Sequence, residues 1–445
     1  MHKDDSTHDE GFTLVEVIVA MLIFALVLTG FLYTVTASLV TTRDTRARVV
    51  AANLASQQID LVRSSNSVFD ITNRTLDPVT LNGDTFHVSV KTSWITDSGT
   101  TASCEAGAAT GSLSYKQVTV EVTWDNMRQG AQPVRSDTAI TPSTKINNPT
   151  LGTVLVGVVG AAGTAVSGVS VSLTPSNGVA STTTDSDGCA YLLKVPADTY
   201  TVTVSEAGYV GYANERQIET PTATVPVTAG SSSRVSFAFD QATTFKGTYA
   251  SNVTGSVAIP TNLTTTFLST YGNFPFTASS NNKTQSYALY PFSSGYSVVA
   301  GAYAESATDP SKSCLSPDPG QWTPEADTVG TRPAPVAGTP GTTVNVTVPM
   351  GAVTLPALSR YDANTYVKAE YVGGGHGDPG CATGMSYAFG SVLGTSSSTI
   401  ALPYGTWKIY RGSRTSQSTQ ITGMNVVTGG SASGGLVVLD PRVTE

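Results

Sequence analysis

The sequence predicts an α+β protein in which one long N-terminal helix and a small β head precede tandem all-β sandwich modules. Residues 12–40 form a run of 29 positions that contains no Lys, Arg or Asp. An amphipathic segment follows this run at once. The remaining chain is rich in Gly and Pro, and its valines alternate with Thr and Ser, as in VSVSLTP and QVTVEVTW. Such alternation is typical of strands with one buried face.

The apolar run predicts a transmembrane helix. At about 1.5 Å per residue it is long enough to cross a hydrocarbon core of about 30 Å. Glu16 lies inside the run, where an ionised carboxylate costs a few kcal/mol and needs a cationic partner. The alternative for Glu16 is an interfacial position from which its side chain reaches water.

The segment GFTLVE, residues 11–16, followed by the apolar stretch, resembles the cleavage and methylation site of type IV prepilins and the related pseudopilins. The resemblance implies that a prepilin peptidase cuts between Gly11 and Phe12 and then N-methylates Phe12. It also implies that Glu16 neutralises the N-terminal amine of an adjacent subunit during filament assembly. Such a pair would account for a carboxylate in an apolar bundle. A plain signal anchor is the alternative.

The charges that flank the helix do not set its orientation. The leader, residues 1–11, carries Lys3 against four acids, whereas leaders of this family are usually basic. The apolar run is followed by Arg43, Arg46 and Arg48. The positive-inside rule alone would therefore place this end of the helix, and the body after it, in the cytoplasm. The large β-rich body with four cysteines favours export. We therefore expect a single pass through the cytoplasmic membrane, with the N-terminus inside and the body in a filament or on the cell surface.

The helix is expected to continue beyond the membrane, over residues 12–64 in all, to a length of about 75 Å. The segment RVVAANLASQQIDLVRS repeats apolar or small residues every three or four positions. The predicted stripe comprises Ala47, Val50, Ala51, Leu54, Gln58, Leu61 and Val62. Both a filament-forming stalk and a helix that docks only on its own head fit this stripe.

Residues 65–143 are predicted to form a small pilin-like β head. The stretches LNGDTFHVSVKTSW and SYKQVTVEVTW indicate two strands, with a Gly/Ala/Ser-rich loop and Cys104 between them. The proline-containing segment TPSTKINNPT after the head is typical of a linker.

A signature of a proline, a turn and an aromatic residue recurs three times after the linker. It reads VPADTY at 195–200, YPFSSGY at 290–296 and LPYGTW at 402–407. This spacing predicts three β-sandwich modules, at 150–240, 241–342 and 343–445. The segments GTAVSGVSVSLTP, STTTDSDGCAYL and VPADTYTVTVSEAGY of the first module resemble the carboxypeptidase regulatory-like or Cna protein B-type family. The later two modules are identified through the repeat alone.

Some members of that family carry an intramolecular Lys–Asn or Lys–Asp isopeptide bond. The opening strand of the first module, LGTVLVGVV, has no lysine, and we expect Lys246 in the second module to be an ordinary solvated residue. The four cysteines predict disulfides in an exported body, and four cysteines allow three pairings. Order along the chain favours Cys104 with Cys189, from the head to the first module, and Cys314 with Cys381, from the second module to the third.

Composition and motifs argue against nucleic-acid binding and catalysis. The net charge is −8, and without the leader it would be −5, which does not suit a polyanion. Motifs of hydrolases, zinc proteases and phosphate-binding loops do not occur, and the cysteines lack the paired spacing of zinc sites. His376 and Asp378 lie in the glycine-rich segment GGGHGDPGC, which fits an exposed loop better than a general base. We expect no enzyme activity, no cofactor and no metal.

These patterns together predict a minor pilin or pseudopilin of the pilus modification or assembly class. Its expected partners are the prepilin peptidase, other pilin subunits with the pilus assembly machinery, and the membrane. A secretion-system pseudopilin is a second possibility of the same class. A membrane-tethered adhesin or carbohydrate-binding protein is the alternative from another class. Its host or surface glycan would stack on the aromatic strand heads Tyr290, Phe292, Tyr296, Tyr404 and Trp407.

Overall fold

A computed structural model describes residues 13–102, 104, 111–128, 130–142, 146, 148–213, 216–278, 280–325 and 328–442. The described chain divides into two compact units. The first extends to residue 146 without Cys104, and the second comprises Cys104 and residues 148–442. The first unit holds one long helix and a sheet, and the second holds β-sheets alone apart from two short 3₁₀ turns. The predicted α+β class, with tandem β modules after the helix, is therefore confirmed.

Helix α1 spans Leu14–Arg63 without interruption. Its N-terminal half is exposed, and its C-terminal half buries Ala47, Ala51, Ala55, Gln58, Ile59 and Val62. Steps of four residues from Ala47 keep to one side of the helix, which is why Ala55 and Ile59 are inside. Leu61, which the sequence placed in this stripe, is instead 53 % exposed because its position is rotated away from that side.

An antiparallel head sheet covers the buried stripe of α1. The strand order is β1-β3-β5-β6, and β2 and β4 also pair with β3. The strands are β1 Arg74–Thr75, β2 Val79–Leu81, β3 Asp84–Thr96, β4 Thr101–Ala102, β5 Leu113–Trp124 and β6 Val134–Ile140, after a 3₁₀ turn at Val68–Asp70. Burial alternates along β5, as the period-2 pattern of its valines predicts, so one face of the sheet packs on the helix.

The first module is a sandwich of two sheets, with strand orders β10-β7-β15-β12-β13 and β14-β11-β8-β9. Its opening strand lies parallel to its closing strand β15. The strands are β7 Leu151–Val159, β8 Ser170–Thr174, β9 Thr182–Thr183, β10 Cys189–Pro196, β11 Asp198–Ser205, β12 Tyr209–Ala213, β13 Arg216–Ile218, β14 Thr222–Val227 and β15 Ser232–Gln241. Valines from both sheets fill the core between them.

The second module has two three-stranded sheets, β19-β16-β21 and β18-β17-β20. Its strands are β16 Thr243–Tyr249, β17 Thr264–Ser269, β18 Gly272–Thr277, β19 Thr284–Leu289, β20 Ser297–Ala300 and β21 Thr343–Val348. An irregular insert between β20 and β21 contains 3₁₀ turns at Pro310–Lys312 and Pro319–Gln321. Strand β21 lies parallel to β16 along its length. The boundary expected between 342 and 343 therefore moves to after Val348, because β21 completes the second module.

The third module combines the sheets β25-β22-β28 and β24-β23-β26-β30-β29, and β27 also pairs with β26. Its strands are β22 Gly351–Leu355, β23 Tyr366–Tyr371, β24 Ser386–Ser391, β25 Ser398–Leu402, β26 Gly405–Gly412, β27 Gln417–Gln420, β28 Asn425–Val426, β29 Gly430–Ser433 and β30 Leu436–Leu439. Its buried side chains form one continuous core with those of the second module. The two modules are thus one packed body within the second unit.

The recurring signature occupies the same connection in all three modules. Each opening strand (β7, β16, β22) pairs antiparallel with the strand before the signature (β10, β19, β25). In each module the second strand (β8, β17, β23) pairs antiparallel with the strand that follows the signature (β11, β20, β26). The proline, turn and aromatic residue therefore mark the crossing from one sheet of a sandwich to the other.

Candidate functional site

Glu16 lies in the first turn of α1. The helix begins after Thr13, whose carbonyl accepts from the backbone N–H of Glu16 at 3.0 Å and of Val17 at 3.2 Å. A carboxylate in the first turn is favoured by the positive end of the helix dipole. The side chain is exposed among exposed apolar neighbours, and no ion pair within the described ranges includes it. The scissile bond between Gly11 and Phe12 lies outside the described residues.

The surface around Glu16 is apolar on every side of the helix. Residues 14–40 expose nearly all of their leucine, isoleucine, valine, phenylalanine and methionine side chains. By length and composition, α1 is able to cross a membrane. An apolar surface of this extent needs either lipid or other helices around it.

The arginines after the apolar run are partly neutralised by the protein itself. Arg43 donates to the carboxylate of Asp84, whose side chain is almost fully buried. Arg48 pairs with Asp44 at 3.3 Å and lies 5.8 Å from the ring centre of Trp124. Only Arg46 of the three keeps an exposed position without a pair among the described residues. These contacts place the arginines at the junction between helix and head.

The aromatic residues of the recurring signature form internal corners. Tyr200, Tyr296 and Trp407 are fully buried. Each donates a hydrogen bond back to a carbonyl at the start of its own turn: Tyr200 to Pro196 at 3.0 Å, Tyr296 to Tyr290 at 2.5 Å and Trp407 to Pro403 at 3.1 Å. The signature is thus a structural device that fixes the crossing between sheets.

The aromatic strand heads do not form a sugar platform. Tyr290, Phe292 and Tyr404 are at most 9 % exposed, and Tyr296 and Trp407 are not exposed at all. A ring that stacks on a sugar needs a free face, which the folded modules do not leave to these residues. Burial raises the pKa of Tyr404 to about 12 and also raises the pKa of Tyr290 to about 12.

The raised pKa values of Tyr290 and Tyr404 predict that the protein loses stability in alkali. Below pH 10, the ordinary pKa of tyrosine, both residues are neutral in the folded and unfolded chain. Between pH 10 and about 12 only the unfolded chain releases their protons, so the free energy of unfolding falls as the pH rises. Denaturant midpoints measured across this interval should decline steeply. The variant Tyr404→Phe should decline less steeply than the wild type, and equal slopes would contradict the burial of this ring.

The segment around His376 is a loop that is anchored by hydrogen bonds. His376 is exposed, with its backbone at φ 55°, and its carbonyl accepts from Arg442. The Asp378 carboxylate accepts from Tyr371 at 3.1 Å and from Thr406 at 3.0 Å. It also accepts from the backbone of Gly380 at 3.0 Å and from Ser316. These four donors hold the carboxylate in place.

All four cysteines are in disulfides, and Lys246 lies on the surface. Cys104 is bonded to Cys189, and Cys314 is bonded to Cys381. The second bond joins the insert of the second module to the loop before β24 of the third. Lys246 lies on the exposed face of β16, where water solvates its ammonium group. Among the residues the structure describes, no three His, Cys, Asp or Glu side chains converge as a metal site would require.

A set of side-chain hydrogen bonds between modules was missed by sequence reasoning. Three amide side chains bond by both their oxygen and their nitrogen to a neighbouring module or to the boundary between modules. Gln217 contacts the Tyr290 backbone at 2.7 Å and the Tyr296 hydroxyl at 2.8 Å. Asn252 binds the backbone of Met350, and Asn262 binds that of β24. No local pattern announces such contacts, because their partners lie 73–126 residues away.

Comparison with known proteins identifies two segments of the chain. Residues 7–32 match the prokaryotic N-terminal methylation motif, and residues 153–240 match the carboxypeptidase regulatory-like domain. Both resemblances drawn from the sequence are confirmed. No curated protein matches the chain significantly.

Comparison with solved structures finds, among others, one Bacillus anthracis protein and two pilins. The TIE protein of Bacillus anthracis is 12 % identical over 83 % of this chain and 75 % of that one, with a TM-score of 0.20. A streptococcal ancillary pilin is 10 % identical over 52 % and 75 %, with a TM-score of 0.20. The major pilin subunit BcpA of Bacillus cereus is 10 % identical over 62 % and 95 %, with a TM-score of 0.16. At these scores the likeness carries no further argument.

Proposed function

We propose that this chain is a minor pilin or pseudopilin of a type IV filament system. The observation that carries the proposal is the overlap of the methylation motif at residues 7–32 with the start of α1, which sets Glu16 in the first turn of a 50-residue helix. The motif implies that the chain is a substrate of a prepilin peptidase. A helix with an apolar half and a half packed on its own head suits a subunit anchored in a membrane and then assembled with others.

The proposed mechanism is physical rather than chemical. Prepilin peptidase cuts after Gly11 and methylates Phe12, and Glu16 then neutralises the amine of a neighbouring subunit. Burial of the apolar helix in the filament supplies the remaining free energy. The β modules project outward and present a surface. The chain has no catalytic role in this proposal, in keeping with the structural positions of His376 and Asp378.

The proposed orientation has the N-terminus in the cytoplasm and the modules outside. The disulfides suit an oxidising exterior. The pairing of Arg43 and Arg48 with carboxylates leaves less unpaired positive charge after the helix than the sequence suggests. The β modules that follow the head make the chain bulky for a filament shaft, so the proposal places it in low copy at or near the tip.

An adhesin that uses a pilin-like anchor is the alternative function. It needs a glycan site other than the buried aromatic strand heads, since these rings lack a free face. The two functions are separated by the location of the chain. Filaments sheared from cells should contain the chain, and immunogold labelling of the second unit should mark filament ends. A chain that stays with the cell envelope after shearing would contradict the proposal and favour the tethered adhesin.

A further inference from the structure

The hairpin of β2 and β3 exposes apolar side chains at one end of the head. Val79 is 38 % exposed and Leu81 is 39 % exposed. They lie two residues apart on a strand, so they point to the same face of the hairpin. The connecting turn is Asn82-Gly83, with φ of 53° and 87°, which is the tight turn favoured between antiparallel strands. The hairpin therefore ends in a short, rigid tip with two apolar side chains beside it.

The tip lies beside the point where the apolar part of α1 ends. Asp84, the first residue of β3, pairs with Arg43 of the helix. Leu81 is the cross-strand partner of Asp84, so it lies on the same face at the same level. Arg43 follows Val40, the last residue of the apolar run, by three positions, or about 5 Å along the helix axis. This distance is within the headgroup layer, which adds about 5–8 Å to each side of the hydrocarbon core.

The length of the apolar part of α1 favours a tilt of the helix in the bilayer, and this tilt brings one side of the head closer to the membrane. Residues 14–40 of α1 extend for about 40 Å, whereas the hydrocarbon core is about 30 Å thick. A tilt of about 40° removes the difference, and long transmembrane segments commonly tilt for this reason. The side that carries Val79 and Leu81 gains apolar burial when it approaches lipid. The neighbouring loop at this end exposes Asp125, Asn126 and Arg128, which gain no apolar burial there.

We propose that the β2–β3 tip is a lipid-contact surface. Val79 and Leu81 insert at the boundary between headgroups and acyl chains of the bilayer that holds α1, and the exposed Arg46 faces lipid phosphates. The head thus rests on the membrane while the subunit awaits assembly. The inference rests on α1 spanning a membrane, and it adds a second membrane contact to that anchor.

Spin labels on the full chain in phosphatidylethanolamine–phosphatidylglycerol vesicles test this surface. All four native cysteines are in disulfides, so an added cysteine is the only reactive thiol. Leu81→Cys places the label at the tip, and Ser98→Cys places it in the exposed turn at the other end of β3. Ala25→Cys places a third label in the apolar half of α1. Val79→Cys replaces Leu81→Cys if the latter does not fold.

The expected result is that oxygen collides with the tip label severalfold more often, relative to a water-soluble nickel chelate, than with the label at position 98. The label at position 25 should report the hydrocarbon core. Equal accessibility at 81 and 98, with the label at 25 in hydrocarbon, would overturn the lipid contact and leave the anchor intact. This result would favour a neighbouring subunit as the occupant of the tip. A water-exposed label at 25 would overturn both the anchor and the contact.

Discussion

Glu16→Gln is expected to remove the chain from filaments while leaving it processed and in the membrane. The amide has the shape of the carboxylate but cannot neutralise the amine of a neighbouring subunit. An unpaired charge in an apolar bundle costs about 3–5 kcal/mol, which corresponds to more than about a hundredfold loss of incorporation. Immunoblots of sheared filaments and of membranes, normalised to each other, measure this loss.

Met21→Leu is the matched control for Glu16→Gln. It changes an exposed residue of the same helix by a similar volume without changing charge, so incorporation should stay at the wild-type level. Normal incorporation of Glu16→Gln would contradict the pairing and would make Glu16 an interfacial residue. A loss in both variants would show that the assay reports general damage to the helix.

Trp407→Ala is expected to unfold the second and third modules together. The indole is fully buried, its N–H bonds to Pro403, and its ring lies 5.8 Å from Tyr371 and 5.7 Å from Tyr387. Replacing a buried Trp by Ala costs about 3–5 kcal/mol, a large share of the stability of a domain. The two modules have a continuous core, so the loss should spread beyond the third module.

The fluorescence of Trp322 reports on this spread during urea denaturation of the full chain in detergent. Trp322 lies buried in the insert of the second module, and Trp94 and Trp124 belong to the first unit. The transition of Trp322 should move to lower urea in Trp407→Ala. Trp407→Phe, which keeps most of the buried ring, should move it much less. An unchanged Trp322 transition would mean that the two modules unfold independently.

The helix and the methylation motif could be predicted because their signals are local. The apolar run, Glu16 and the segment at residues 11–16 lie within about thirty positions, and one period determines which side of α1 is buried. The repeated proline–turn–aromatic signature could also be recognised in the sequence, since each copy spans only six or seven residues. The sequence did not show that the signature forms an internal corner. Its aromatic residue is buried, and reaches its acceptor carbonyl, only when the two sheets pack together.

Long-range contacts account for what the sequence did not show. Strand β21 belongs to the second module because it pairs with β16, about 100 residues earlier, and no local pattern marks that pairing. In the sequence, nothing distinguishes Gln217, Asn252 and Asn262 from other polar residues of loops and strands. Their hydrogen-bond partners come close only when the modules pack. Leu61 is exposed because it lies one position before the buried Val62 and therefore on another side of the helix. A pattern of three-residue and four-residue steps does not distinguish these two positions.

Mass spectrometry of the N-terminal peptide, from cells with and without their prepilin peptidase, tests the central claim most directly. The account predicts a peptide that begins at N-methylated Phe12 when the peptidase is present, and a peptide with the intact leader when it is absent. An intact leader in both strains would contradict the assignment to a type IV filament system and would make the chain a signal-anchored surface protein.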